Sequence, residues 1–320
     1  MIAFVIKRLL QTAALLLVVS VLVFLGCEIL PGDVAQVSLG QYATPDNVQA
    51  LRIELGLDRP AYERYFDWLF GILQGDWGRS ITTKTPVARM LSERLSNTAL
   101  LAAVTTVVAV PLALILGLLM AVGAGRAWDR VASVVTLGLS ATPEFLIATL
   151  GVLLFAVQLR WLPAVAYLSP GSDLAQTARA LFLPAATLSI VVMAQIARMT
   201  RAIIGNLLTQ PFIEMATLKG VPPRRVVGVH ALINAVGPLA NVVALNIAYL
   251  VSGVLVVETI FAYPGLARLM VDSVQARDLP VVQACAIIFC ATYVLLIFLA
   301  DVLAHIYDPR SNLEAADRKG

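Results

Sequence analysis

Glu144 is the side chain most out of keeping with its neighbours. It stands alone in the apolar run Val131–Gln158, directly after Pro143. A carboxylate near a bilayer midplane is costly unless it meets a cavity or a partner. Its chemistry is to accept an amine or cation along a pathway; the competing reading is a protonated or paired glutamate packed between helices. A second concentration of functional groups is ionic: Arg198, Arg201, Glu214, Lys219, Arg224, Arg225 and His230 fall between two apolar spans. Covalent and metal chemistry are poorly provided for. Cys27, Cys285 and Cys290 lie within or at the edge of apolar runs, and His230 and His305 are the two histidines. No disulfide framework or zinc spacing results, and no metal site or catalytic residue is assigned. The Gly-Lys pair of a phosphate-cradling loop occurs nowhere, so nucleotide chemistry is expected on another polypeptide.

The elements that must position these groups are membrane helices. Hydrophobic residues make up 59% and charged residues 13% of the chain, against roughly 45–50% and about 25% in soluble domains. Lys7-Arg8 precede an apolar run from Leu9 to about Cys27, read as an uncleaved first helix despite a faint likeness of Phe24-Leu25-Gly26-Cys27 to a lipoprotein cleavage site. Further stretches are Ala99–Gly125, Val131–Gln158, Ala180–Ala197, Ala231–Val257 and Leu279–Ala300. A helical crossing needs roughly 20 residues, so the sequence predicts an all-α polytopic membrane protein with six transmembrane helices. Cations concentrate at the N-terminus, at Arg126 and Arg130, and at 198–230, which places both termini and the ionic loop in the cytoplasm. The boundaries that follow are 1–30 for the first helix, 31–96 for an extracytoplasmic loop, 97–306 for a five-helix core containing the loop 198–235, and 307–320 for a polar tail.

Proline and glycine punctuate the ionic loop as two short helices. Pro211 suits a first helical position, with Glu214 complementing the dipole. Lys219-Gly220 closes that helix, Pro222 blocks continuation, and Pro223 opens the next. The long outer loop is predicted to be partly helical: Thr44-Pro45-Asp46 opens a helix that closes at Gly56. The segment Pro60 to about Leu73 carries Tyr62, Tyr65, Phe66, Trp68, Leu69 and Phe70, enough aromatic surface for a membrane interface or another protein. Pro86–Leu95 is an amphipathic lead-in to the second span. Gln195, Asn241 and Asn246 read as hydrogen-bonding partners between helices.

Several motifs together carry a family resemblance. Glu214-Met215-Ala216 with Gly220 resembles the cytoplasmic EAA-type motif of importer permeases of the ATP-binding-cassette class. Lys219-Gly220-x-Pro-x-Arg224-Arg225 and His230-Ala-Leu-x-Asn234-Ala235 are similar to the B-type subunits for dipeptides, oligopeptides and nickel. Leu55-Gly-Leu-Asp-Arg59-Pro60, Gly75-Asp-Trp77-Gly-Arg79-Ser80, Glu258-Thr-Ile-Phe261-x-Tyr263-Pro264-Gly265 and Tyr307-Asp308-Pro309-Arg310 extend the likeness over the whole chain. Met215 departs from the small residue usual at that motif position, and Ile233 stands where the wider class has proline.

The resemblance implies a type I importer-like permease in a bacterial inner membrane, forming half of a translocation pathway. The implied partners are a homologous C-type permease, two ATPase subunits of the D/F type that hold ATP and magnesium, and an extracytoplasmic substrate-binding protein; no nucleic acid is implied. Loop residues Glu214, Met215, Ala216, Lys219, Gly220, Pro223, Arg224, Arg225 and His230 would couple to the ATPases, with Arg224 and Arg225 serving either that contact or topology alone. Pro143, Glu144, Glu258, Tyr263 and Pro264 would line the pathway or an outer gate. Tyr62, Trp68, Trp77 and Arg79 would receive the binding protein. Peptide is the expected cargo, with nickel chelates or glutathione-like conjugates as alternatives. An intramembrane serine protease using Ser252 and His305 is a competing class, but Leu250 stands where such enzymes present glycine, and the loop signature would be unexplained. A proton-coupled secondary transporter fits Glu144 alone and ordinarily uses inverted repeats and more spans.

Overall fold

A computed structural model describes residues 2–29, 34–54, 56–167, 171 and 173–307. The tail motif beyond Tyr307, Leu55 and the side chain of Ser252 lie outside the described residues. The described elements are helical, in the order α1 (Ile2–Ile29), α2 (Val34–Leu39), α3 (Pro45–Glu54), α4 (Ala61–Leu73), α5 (Val87–Val122), α6 (Ala127–Ala141), α7 (Glu144–Gly151), α8 (Leu174–Leu208), α9 (Pro211–Leu218), α10 (Pro223–Arg225), α11 (Leu232–Ile260), α12 (Leu266–Gln275) and α13 (Leu279–Tyr307). Single π-type segments, Val152–Gln158 and Val226–Ala231, extend α7 and join α10 to α11.

Five helices are long and apolar enough to cross a membrane, and α6 with α7 makes a sixth crossing if the bent pair counts as one. The bend is 100°. Pro143 explains it: the residue before a proline is driven out of the helical region, and Thr142 is extended at φ −83°, ψ 129°. The span is therefore fully broken at this proline rather than kinked. Pro111, Pro184 and Pro238 are instead carried inside α5, α8 and α11. The amphipathic lead-in and the second span form one 36-residue helix, α5. Neither glycine nor proline interrupts it between Val87 and Val110.

The chain divides into two compact units. In the first, residues 1–100 and 262–294, the start of α5 (Val87, Leu91), α12 (Leu266, Leu269) and the start of α13 (Val281, Ala284, Cys285) bury a common core, with Trp77 against it. Asp278 fastens the outer loop to α13. Its carboxylate accepts from the Ser80 hydroxyl, the Ile81 N–H at 3.0 Å and the Thr82 hydroxyl at 2.7 Å. Burying an aspartate this completely, at 2% exposure, is tolerable because its lone pairs are met by donors. In the second unit, residues 101–261 and 295–320, α8 is the axis. Its apolar window is 72% buried, against 11% for that of α1 in the first unit. Gly117 of α5 permits a close crossing, since a Cβ there would fall 2.5 Å from the Ala197 carbonyl and from Thr200.

Candidate functional site

The ionic loop folds as the punctuation predicts. Pro211 occupies the first turn of α9 and Pro223 the first turn of α10. Gly220 adopts φ +80°. Its N–H donates to the Thr217 carbonyl at 3.0 Å, and the Val221 N–H reaches back to Ala216 at 3.2 Å. This 5→2, 6→1 pair is a Schellman ending, and Val221 packs against the buried cluster of Ile213, Ala216, Val226 and Ala231. A side chain at 220 would meet nothing within 4 Å, so glycine is required by backbone conformation rather than by space.

The two faces of α9 differ. Ile213 and Ala216 are buried with Val226 and Ala231, with Leu208 and Val221 packed around them. Phe212, Met215 and Leu218 are 43%, 55% and 78% exposed. Their three-residue spacing puts them on one side of the helix. Glu214, Lys219, Arg224 and Arg225 are also exposed, while His230 is half-buried in the π segment that carries the chain into α11. α9 is thus seated on its own protein by one face and presents an apolar stripe, with the cations of α10 beyond it.

A contact that spacing alone did not reveal braces the approach to this loop. Arg201, in the last turns of α8, donates to both oxygens of Asp129 on α6, at 2.7 and 2.8 Å. Asp129 is 1% exposed and also accepts from the Gly125 N–H at 3.0 Å. Bidentate arginine–carboxylate pairs fix orientation as well as distance. Beside them the Trp128 indole lies on Gly123, where a Cβ would come within 2.0 Å of the ring, and Arg198 donates to the Ser140 hydroxyl at 2.9 Å. The available signal was a single acid among Arg126, Arg130, Arg198 and Arg201, but its partner lies 72 residues away.

Glu144 sits at the break, half-buried at the first position of α7, with Pro143 exposed before it. Its carboxylate rests on Gly253 of α11: a Cβ there would lie 2.8 Å from Oε2. The Tyr249 phenol, one turn earlier on α11, is its hydrogen-bonding and electrostatic neighbour. Asn246, one turn earlier again, bonds within its own helix, Nδ2 to the Val242 carbonyl at 2.8 Å. Among the described residues it does not bridge helices as expected, and its buried Oδ1 finds no hydrogen-bond donor there.

The other expected sites are dispersed. Glu258 is fully buried near the end of α11. Tyr263, also fully buried, donates to the Asn97 carbonyl at 2.7 Å, and Asn97 returns a bond from Nδ2 to the Pro264 carbonyl at 2.8 Å. The Leu266 N–H donates to Thr98 at 2.8 Å. These contacts stitch the 263–266 turn to α5; Asn97 and Thr98 escaped the sequence reading. In the outer loop, Tyr62 and Arg79 are exposed, while Trp77 packs on the first unit's core and Trp68 turns toward Phe24 of α1, with ring centroids 5.9 Å apart. The Arg59 guanidinium is pushed above its ordinary value by its bonds to Asp67 and Glu63. Among the described residues no group of three His, Cys, Asp or Glu side chains gathers as a metal site.

Residues 113–312 match the family described as the binding-protein-dependent transport system inner membrane component, and residues 1–102 match that system's N-terminal membrane family. The chain is 35% identical to a probable peptide ABC transporter permease protein of Sinorhizobium fredii, over 96% of its own length and 98% of that protein. It is 37% identical to the glutathione transport system permease protein GsiC of Escherichia coli, over 97% and 98%. These relatives lend the protease alternative no support.

Proposed function

Because the chain belongs to the family of binding-protein-dependent transport system inner membrane components, we propose that the loop 198–235 is where force from ATPase subunits enters it. The chain is a multi-pass inner-membrane transport subunit rather than an enzyme, and its family works in general with ATPases and a substrate-binding protein. The observation that carries the proposal is the two-faced α9. On its inner face Ile213 and Ala216 pack with Leu208 at the end of α8 and with Val226 and Ala231 of the π segment leading into α11, so a push on its outer stripe is delivered to both long helices. Burying a side chain such as Met215 in a partner groove contributes roughly 1.5–3 kcal/mol. Arg224 and Arg225 would then supply steering and orientation.

In this reading the termini and the loop face the cytoplasm, and the pathway runs past the broken α6–α7 pair, with Glu144 meeting the cargo's amine. Glu258, Tyr263 and Pro264 form the outer gate. A homologous C-type subunit completes the lumen, D/F-type ATPases hold ATP and magnesium, and the outer loop, through Arg79, faces the binding protein. Peptide is the proposed cargo, supported by the naming of the Sinorhizobium relative, with glutathione-like conjugates or nickel chelates as the narrower alternatives. The test is reconstitution with its cognate ATPases and binding protein. ATP-dependent uptake of di- and oligopeptides, but not of glutathione or nickel chelates, is expected. Uptake of glutathione or a nickel chelate alone would overturn the cargo assignment, and uptake of all cargoes without ATP would overturn the coupling.

A further inference from the structure

The amphipathic helix α4 has three faces. Tyr65 and Trp68 pack against α1, with Phe24–Tyr65 and Phe24–Trp68 ring centroids 5.5 and 5.9 Å apart, and the Ser20 and Tyr65 hydroxyls hydrogen-bond at 2.8 Å. Glu63, Arg64 and Asp67 form a polar edge, with Arg64 paired to Glu28 of α1 and Arg59 bridging to Asp67 and Glu63. The third face is open and apolar: Tyr62, Phe66, Phe70 and Leu73 are 65%, 51%, 57% and 73% exposed. On a helix of 3.6 residues per turn these four fall on one stripe, flanked by the packed face on one side and the polar edge on the other.

The first helix is a ruler for the depth of this stripe. Arg8 and Glu28 are the charges bounding its apolar stretch, and about 30 Å of helix separates them, the thickness of the hydrocarbon core. Phe24 then lies about 6 Å, and Ser20 about 12 Å, inside the boundary marked by Glu28. A helix whose tyrosine reaches Ser20 and whose arginine reaches Glu28 cannot stand clear of the bilayer. Its polar edge is at headgroup level while its two apolar faces point inward, one onto α1 and the other beyond it. α1 itself leaves Leu15, Val18, Leu22 and Leu25 exposed at 49%, 52%, 62% and 43% over the same depth.

We infer that α4 is an interfacial helix sunk into the leaflet at the Glu28 end of α1, and that the occupant of the Tyr62–Phe66–Phe70–Leu73 stripe is the lipid bilayer. In-plane amphipathic helices bury their apolar face about 5–10 Å into the headgroup–acyl boundary, the depth that the α1 contacts set here. The inference narrows the role of the outer loop: α4 anchors it, and the binding protein is received by other parts, so Tyr62 serves the membrane.

Spin labels test this in the assembled transporter reconstituted in bilayers without binding protein, in a background lacking Cys27, Cys285 and Cys290. Labels are placed by Phe66→Cys, Phe70→Cys and, on the polar edge, Glu63→Cys, and accessibility to oxygen is compared with that to a water-soluble nickel chelate. Labels at 66 and 70 are expected to favour oxygen and to report a depth of about 5–10 Å, with the label at 63 favouring the chelate. Chelate accessibility at 66 and 70 equal to that at 63 would mean a water-facing stripe and overturn the inference. Protection from both reagents would mean that a protein covers the stripe and would equally overturn it. Leu73→Cys gives the same reading should the Phe66 variant fail to assemble.

Discussion

Replacing Gly220 separates the bend of the cytoplasmic loop from its charge. The residue holds φ +80° with open space where a side chain would go, so alanine is penalised by backbone conformation alone. That penalty is roughly 1–2 kcal/mol for an L-residue in the left-handed region, or about a five- to thirtyfold loss in the population of the bent form. Asparagine visits this region more readily than alanine, and a β-branched residue least of all. ATP-driven uptake in proteoliposomes, normalised to membrane abundance, should therefore fall in the order Gly220, Gly220→Asn, Gly220→Ala, Gly220→Val. Gly220→Asp matches asparagine in backbone tolerance but sets a negative charge beside Lys219, Arg224 and Arg225. It should abolish uptake while the protein stays in the membrane. If alanine, asparagine and valine variants all import at the wild-type rate, the Schellman bend has no part in coupling and the reasoning fails.

Four further outcomes follow from the same geometry. Met215→Glu should cost roughly 1.5–3 kcal/mol of burial at the docking face, about ten- to a hundredfold in affinity, so ATPase subunits should no longer co-purify; unchanged co-purification would move the interface elsewhere. Asp129→Asn should lower uptake, and combining Asp129→Arg with Arg201→Asp should restore part of it; no restoration would make the pair dispensable as a brace. Glu144→Gln should leave subunit assembly intact and reduce uptake, whereas lost assembly would assign Glu144 to packing. Gly253→Ala, whose Cβ would press on that carboxylate, should shift uptake the same way.

What the sequence disclosed, and what it did not, divides by range. Pro211, Gly220 and Pro223 act on their own backbone, so the bent loop was legible from residue types. Pro143 likewise permits a kink in the third span, but the full 100° break depends on how α6 and α7 pack on α8 and α11, which no local rule supplies. The continuity of α5 was readable in principle from the lack of a breaker between Val87 and Val110; the switch from amphipathic to wholly apolar obscured it. Asp129 with Arg201, and Asp278 with Ser80 and Thr82, join residues far apart in the chain. Their residue types show that partners are needed without showing which. The aromatic segment 60–73 declared an amphipathic helix, yet whether Trp68 or Tyr62 faces outward is set by where α1 lies.

Cysteine cross-linking from the outer stripe of α9 in the intact transporter tests the central claim most directly. A cysteine replacing Met215 should join an ATPase subunit in high yield, and the yield at Phe212 and Leu218 should change when nucleotide closes the ATPases. Labelling of that stripe by water-soluble reagent alone, with no ATPase adduct in any nucleotide state, would contradict the account.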